Sequence, residues 1–313
     1  MIYHFVLNPK SGRSKQQILM EKQIVEACTK RQLNYHIYYT TERGDATNYV
    51  KDMVKKAPGE KQRFICVGGD GTVNEIANSV PGNPDIEFGV IPNGSGNDFV
   101  RNFTNLDKFS SIDAQLDGEC VSLDLIKCND DYCVNMVNIG FDCSVVIESE
   151  KFRRVKFFSP GISYILGVLI GFFKKFGTKM KLTYDDGSVV EKKLTLTAIG
   201  NGKFCGGGFK SAPLARLTDG LFDICSINKV SRLQFISLVG SYKDGTYINK
   251  AAAQKVITYR QDSHFVMEFD DVMPICIDGE ITHAQSVEFS IVPKSFNFVI
   301  PKGCKFRFPG ENV

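Results

Sequence analysis

Tryptophan is absent from all 313 residues, and by itself that decides nothing. Other absences exclude more. No segment reaches the ~20 consecutive apolar residues of a membrane-spanning helix. The longest apolar stretch, Gly161 to Phe173, is broken by Ser163 and three glycines. Neither a charged leader nor a small-residue cleavage site opens the chain. Met1-Ile2-Tyr3-His4-Phe5-Val6-Leu7 runs into Asn8-Pro9 and reads as a first strand rather than a signal peptide. The ten cysteines lack the paired spacing of a zinc site, so reduced thiols in a cytoplasmic protein are expected, many acting as small core hydrophobes. Excess charge is lacking too: 38 Lys+Arg against 35 Asp+Glu leave +3, too little to point to nucleic acid. There is no internal repeat and no low-complexity linker. What remains is a globular chain, 43% hydrophobic and 23% charged, long enough for two domains.

The first third alternates between strand and helix periods. Ile2–Asn8, Asn34–Tyr39, Arg63–Val67 and Ile86–Ile91 read as strands. A helix after Ser14 sets Ile18, Leu19, Val25 and Cys28 broadly on one side. A second starts at Asp45 with Ala46, Tyr49, Val50, Met53 and Val54 inward, and a third covers Thr72–Ser79. Strands alternating with helices imply a largely parallel sheet. After about Leu123 strands dominate: Tyr132–Gly140, Lys179–Tyr184, Val189–Gly200, Leu221–Asn228, His264–Phe269, Ile275–Ile277, Ser286–Val292 and Asn297–Ile300. The expected fold class is α/β: a doubly wound nucleotide-binding domain over 1–123, then an antiparallel β-sandwich over 124–300 that binds the substrate. A tail over 301–313 is expected to pack back on the first domain.

The most informative segment is Phe64-Ile65-Cys66-Val67-Gly68-Gly69-Asp70-Gly71-Thr72-Val73-Asn74-Glu75. A buried strand ends in three glycines within four positions and opens into a helix. Glycines let the backbone approach a ligand, and a helix N-terminus offers N–H groups and a positive dipole end to phosphate. Asp70 would repel bare phosphate but suits a site where a divalent cation lies between them. Alone, a Gly-Gly-Asp-Gly turn is as readily a plain connection, and its spacing is neither that of a P-loop nor that of a Rossmann fingerprint. Two more loops leave strands at the same edge: Asn8-Pro9-Lys10-Ser11-Gly12, and Ile91 to Phe99, which carries Ser95, Asn97 and Asp98. Ligands of open α/β sheets bind at the carboxyl ends of the strands, so three polar, glycine-bearing loops there predict a nucleotide site.

These motifs, followed by Asp278-Gly279-Glu280, make the chain resemble the diacylglycerol kinase catalytic-domain family, which includes the sphingosine kinases, over nearly its full length. The resemblance implies ATP and Mg²⁺ as cofactors and an active site in the interdomain cleft. It lines the ATP site with Asn8, Pro9, Lys10, Ser11, Gly12, Thr41, Gly68, Gly69, Asp70, Gly71, Thr72, Asn74, Glu75 and Ser95, to which the third loop adds Asn97 and Asp98. Glu280 inherits the role of the base that deprotonates the acceptor hydroxyl, and Asp70 and Asp124 that of holding the catalytic Mg²⁺. A second, structural Mg²⁺ would sit on the Asp219 carboxylate and the carbonyls of Arg216 and Leu221, with Thr218 where many relatives carry a second acid. By residue chemistry alone, Asp278-Gly279 and Asp219-Gly220 are turns and Asp124 is a polar residue on a strand edge.

The implied acceptor is a lipid hydroxyl, diacylglycerol first, with sphingoid bases and phosphatidylglycerol as alternatives. NAD kinases share the Gly-Gly-Asp-Gly loop, so a soluble acceptor also stays open. A silent nucleotide-binding regulator would be expected to lack Asp70, Asp124 or Glu280, and all three are present. Residues 151 to 181, with Lys151, Arg153, Arg154 and Lys156 before the apolar run and Lys174, Lys175, Lys179 and Lys181 after it, read either as a membrane contact or as a buried helix with basic ends. The expectation is a peripheral protein that visits the inner face of an anionic membrane and binds no nucleic acid. Exposed strand edges would let two copies pair as a homodimer.

Overall fold

The structure, a computed structural model, describes residues 1–9, 14–153 and 177–308. The expected contacts of Lys10, Ser11 and Gly12 and most of the 151–181 segment therefore lie outside the described residues. The chain forms two compact units, Met1–Leu125 with Val292–Val313, and Ile126–Ile291. Among the described residues no helix is long and apolar enough to cross a membrane.

The first unit is built on four parallel strands in the order β4–β3–β1–β2: β1 (Ile2–Leu7), β2 (Tyr35–Tyr39), β3 (Gln62–Gly68) and β4 (Ile86–Pro92). Helices α1 (Ser14–Lys30), α2 (Asp45–Lys56) and α3 (Asp70–Ala77) make the crossovers that parallel strands require. All seven positions of β3 are buried, the near-continuous apolar run of a strand covered on both faces. Its neighbours in the core include Phe5, Leu7, Ile24, Cys28, Ile91, Ile112 and Leu116. Among the α1 side chains described, Ile24 and Cys28, one turn apart, are buried, whereas Ile18, Leu19 and Val25 are exposed. A helical phase that turns Ile24 and Cys28 inward carries Val25 away from the core. Of the five residues expected inward on α2, only Ala46 and Val50 are buried. α3 starts at Asp70 rather than Thr72, with Gly69 as its N-cap, which places Asp70 in the first turn. Beyond α4 (Ile112–Leu116), β5 (Glu119–Cys128) runs beside the last strand of the chain.

The second unit is antiparallel and sandwich-like. Its strands β6 (Asp131–Cys133), β7 (Met136–Gly140), β8 (Thr178–Tyr184), β9 (Val189–Gly200), β10 (Phe222–Asn228), β11 (Ile257–Asp262), β12 (His264–Ile277) and β13 (Glu280–Ile300) are joined in part by α5 (Phe141–Arg153), α6 (Arg232–Lys243) and α7 (Ala251–Gln254). β7 and β8 share one lane between β9 and β12: β7 pairs with the Leu196–Gly200 part of β9 and β8 with the Val189–Leu194 part. One core, around Phe222, Phe265 and Phe289, gathers Ile126, Val137 and Ile275. A second, around Tyr247, Leu196 and Ile227, is roofed by Phe235, Leu238 and Tyr242 of α6.

Two pairs of expected strands are single strands. His264–Phe269 and Ile275–Ile277 both belong to β12, whose register shifts between Glu268 and Met273. Ser286–Val292 and Asn297–Ile300 both belong to β13, which changes partners along its length. Up to Ser290 it lies antiparallel to β12 in the second unit, and Phe298 pairs parallel with Phe88 of β4 in the first. Residues 292–300, expected in the second domain, thus belong to the first unit. Phe298 is fully buried there, with its ring 5.0 Å from that of Phe99 and 5.3 Å from that of Phe103. The stretch after β13 stays with that unit: Arg307 N–H donates to the Asn102 carbonyl and its guanidinium to the Phe103 carbonyl.

Candidate active site

Parallel register brings the ends of β1, β2, β3 and β4 to one edge: Leu7 lies opposite Tyr39 and Val67, and Gly68 opposite Pro92. Three polar loops leave from it. Asn8 N–H donates to the Val67 carbonyl (3.1 Å), Thr40 N–H to that of Leu7 (2.9 Å) and Asn93 N–H to that of Gly68 (2.8 Å). The second and third loops touch backbone to backbone. A Cβ on Gly94 would stand 2.6 Å from the Gly69 Cα, and one on Gly69 would stand 3.0 Å from the Gly94 Cα. Gly96 packs against the Asp70 carboxylate, since a Cβ there would lie 2.9 Å from Asp70 Oδ2. The other oxygen, Asp70 Oδ1, accepts from the Phe99 N–H at 3.1 Å. Asp70 is thereby fixed at the start of α3 against the third loop.

Several expected contacts are loop-shaping residues. Asn97 adopts φ 51, its Oδ1 accepting from Gly94 N–H and its Nδ2 donating to the Gly94 carbonyl, both at 3.0 Å. Asp98 is buried and pairs with Arg101 (3.3 Å), whose guanidinium also donates to the Gly96 carbonyl. Glu75 accepts from the Ala46 N–H at 3.3 Å and so ties α3 to the first turn of α2. Thr41 donates from its N–H (2.7 Å) and hydroxyl (3.0 Å) to Asp45. Thr72 is buried against Gly68, and Ser95 is exposed at the tip of the third loop. Asp124 is buried, 1% exposed on β5, and its Oδ1 accepts from the Lys294 N–H at 2.8 Å.

Among the described residues no three carboxylate, imidazole or thiol side chains gather into a metal cage. Mg²⁺ does not need such a cage, since it is held by one or two carboxylates together with substrate phosphates. Asp70, with Oδ2 packed over a glycine that leaves it room, is a donor of the required kind.

In the second unit Asp278-Gly279 is a two-residue hairpin turn between Ile277 and Glu280, with φ 49 and 94 as a type I′ turn requires. It is also more than a turn. The buried Asp278 carboxylate accepts the N–H groups of Val134 (2.7 Å), Asn135 (3.0 Å) and Met136 (2.9 Å), and the Cys133 thiol points at it (3.1 Å). Asn135 in turn donates to the Phe204 carbonyl, and Asn201 donates to that of Val134. Glu280 therefore follows a turn bolted to the β6–β7 link. Asp219-Gly220 is a turn as well: Asp219 Oδ1 accepts from the Leu221 N–H at 3.3 Å, and Gly220 has φ 73. Four residues on, the fully buried Asp223 lies within the field of Asp219. Burial, with the field of Asp219 adding to it, raises its carboxyl to about 6 against hydrogen bonds from Tyr259 and Gln261 and the field of Lys203, which pull the other way. Asp219 is the exposed carboxylate of this turn, an oxygen donor of the kind a hard cation takes.

Asp278 as a clasp and Asp223 as a buried acid are both missed by sequence reasoning. The signal for Asp223 is a lone carboxylate inside the apolar run Leu221-Phe222-Asp223-Ile224-Cys225. Asp278 leaves none, because its amide partners lie more than 140 residues away in sequence.

A cavity of about 80 Å³ opens in the second unit, lined by Phe141, Val145, Leu196, Ile227, Phe235 and Leu238, with Asn138 and Cys205 as polar members. Its walls are almost wholly apolar, as in sites that take hydrocarbon.

Residues 3–128 match the family model of the diacylglycerol kinase catalytic domain, and residues 135–300 match that of the YegS C-terminal NAD kinase beta sandwich-like domain. The chain belongs to this two-domain family. It is an ATP-dependent phosphotransferase of the diacylglycerol and lipid kinase family. It is 27% identical to a diacylglycerol kinase of Staphylococcus carnosus over 96% of this chain and 95% of that protein. It is 26% identical to a diacylglycerol kinase of Bacillus subtilis, with 95% of each covered. Its fold is that of a diacylglycerol kinase from Bacillus anthracis in the crystal, with a TM-score of 0.68 at 21% identity over 96% of this chain and 97% of that one.

Proposed function

We propose that the protein transfers the γ-phosphate of ATP to the hydroxyl of a membrane lipid, diacylglycerol being the acceptor and phosphatidic acid the product. The observation that carries the lipid assignment is the apolar cavity under α6, which has walls for an acyl chain and few groups for a polar acceptor. The relatives named diacylglycerol kinases support the same acceptor.

Phosphoryl transfer asks the protein mainly to position its reactants and offset charge. Backbone N–H groups of Gly69, Asp70 and Gly71 at the start of α3 bind the ATP phosphates, and the glycine contact at Gly69 and Gly94 holds the loop after β4 against them. Asp70 and Asp124 hold Mg²⁺, which when bound neutralises the phosphate charge. Glu280 accepts the proton of the lipid hydroxyl as that oxygen attacks. Asp219, with the carbonyls of Arg216 and Leu221, holds a structural Mg²⁺ that braces the segment before β10. The protein works from the cytoplasm at an anionic membrane surface.

Transfer of labelled γ-phosphate to a lipid panel in anionic vesicles, with NAD as a soluble acceptor, tests this. Mg²⁺-dependent labelling of diacylglycerol is expected. Labelling of another lipid would change the acceptor, and labelling of NAD alone would overturn the lipid assignment.

A further inference from the structure

The outer face of α6 has no part in phosphoryl transfer. The inner face of that helix is a core face, where Phe235 and Leu238 are buried and line the cavity. On the outside, Leu233 and Ile236 are 81% and 58% exposed, and Leu233 is the most exposed large hydrophobic residue among those described. Three residues apart, they are neighbours on one helical face. Scattered exposed apolar residues are ordinary. These two, however, lie on a helix whose start is flanked by cations. Lys229, just before the Ser231 cap of α6, donates its N–H to the Lys193 carbonyl at 2.8 Å. The start of α6 is thereby tied to the part of β9 that carries Lys192 and Lys193. All three lysines are exposed, and none forms an ion pair within 4.0 Å among the described residues. The nearby acid on β9, Glu191, is already paired with Lys179.

We propose that this corner of the second unit, Leu233 and Ile236 with Lys192, Lys193 and Lys229, docks the protein on an anionic lipid bilayer. Apolar side chains among cations suit the boundary between headgroups and acyl chains, where each cation near the surface adds to binding. A second copy of the chain suits the patch less well. In a two-fold contact a patch meets itself, so lysines would face lysines. The inference rests on the lipid-kinase assignment and deepens it: one helix meets the bilayer on its outer side and walls the apolar cavity on its inner side.

The lack of tryptophan supplies the probe. Leu233→Trp puts a single indole into the full-length chain. With vesicles of phosphatidylglycerol and phosphatidylcholine its emission should shift to the blue and be quenched by brominated acyl chains, and pure phosphatidylcholine should give little response. Val189→Trp, at an exposed position four residues from Lys193 along β9, should stay unshifted. In co-sedimentation, Leu233→Ser with Ile236→Ser, and separately Lys192→Glu with Lys193→Glu and Lys229→Glu, should each lower vesicle partition by roughly tenfold or more. Activity on short-chain diacylglycerol in free solution should be unchanged in both. The idea fails if Leu233→Trp does not shift, if Val189→Trp shifts equally, or if both multiple variants sediment like the wild type. It fails too if light scattering finds a dimer that the serine pair splits into monomers. Failure of the lipid-kinase assignment looks different: no lipid would be phosphorylated, while vesicle binding would persist.

Discussion

Glu280 follows a hairpin turn whose Asp278 is clasped by three backbone N–H groups. Its position is therefore independent of its own charge. Glu280→Gln should leave the fold and ATP binding intact and lower kcat by roughly two to four orders of magnitude, the usual contribution of a positioned base. Near-normal turnover in a steady-state assay would remove it as the base. His4 reports on the core instead. It lies on β1, 2% exposed, with its ring 4.4 Å from that of Phe64 and its Nδ1 3.0 Å from the Tyr49 hydroxyl. Burial, and secondarily the neighbouring His36, holds it down at about 4. Above the ordinary histidine range both folded and unfolded chains are neutral there, so this site then contributes no pH dependence. As the pH falls from about 6.5 to 4 the unfolded chain takes a proton that the folded chain refuses, and stability is lost, by at most about 3 kcal/mol. His4→Phe should flatten that acid limb in melting curves recorded across this range. An unchanged limb would place the acid sensitivity elsewhere.

The loop–helix elements of the first unit are the most legible part of the sequence, because glycine spacing is a local signal. Gly68, Gly69 and Gly71 mark the turn into α3, and Gly94 and Gly96 mark the loop that meets it. What the spacing leaves out is that Gly69 and Gly94 answer to one another. Gly94→Ala should thus act on both loops, raising the Kd for ATP roughly tenfold or more in calorimetry while the melting temperature moves little. Retained affinity would show that the backbone contact is not needed. The turn at Asp219 is an element of another kind. Asp219→Ala should remove any Mg²⁺-dependent rise in melting temperature, and a rise equal to that of the wild type would exclude a structural ion there. Less legible are the amphipathic phase of α1 and the unity of β12 and β13. Ile18 and Leu19 satisfy a helical pattern yet face solvent. β13 holds together through Lys294 at φ 51, where its N–H meets the Asp124 carboxylate, a contact 170 residues away in sequence. No local period encodes such a partner.

At the scale of the molecule, the two-domain order is readable from the switch in period near Leu123, but the return of the chain is not. The second unit is an insertion: the chain leaves the first unit after Leu125 and comes back at Val292. A chain ended after Ile291 would lack Phe296 and Phe298, both buried, and the Arg307 contacts. Each missing phenylalanine forfeits ~1.5–3 kcal/mol of burial, a large share of the stability of one domain. That truncated chain should fail to bind ATP and should unfold or aggregate in equilibrium denaturation. A soluble, ATP-binding product would show the strand to be dispensable. The arrangement also sets a timetable during synthesis. Ribosomes make residues 1–125 first, yet that unit waits for its last strand until every residue of the second has emerged. An unfinished chain released early would carry the glycine loops without the buried aromatic cluster that supports them, so nascent fragments hold no working nucleotide site.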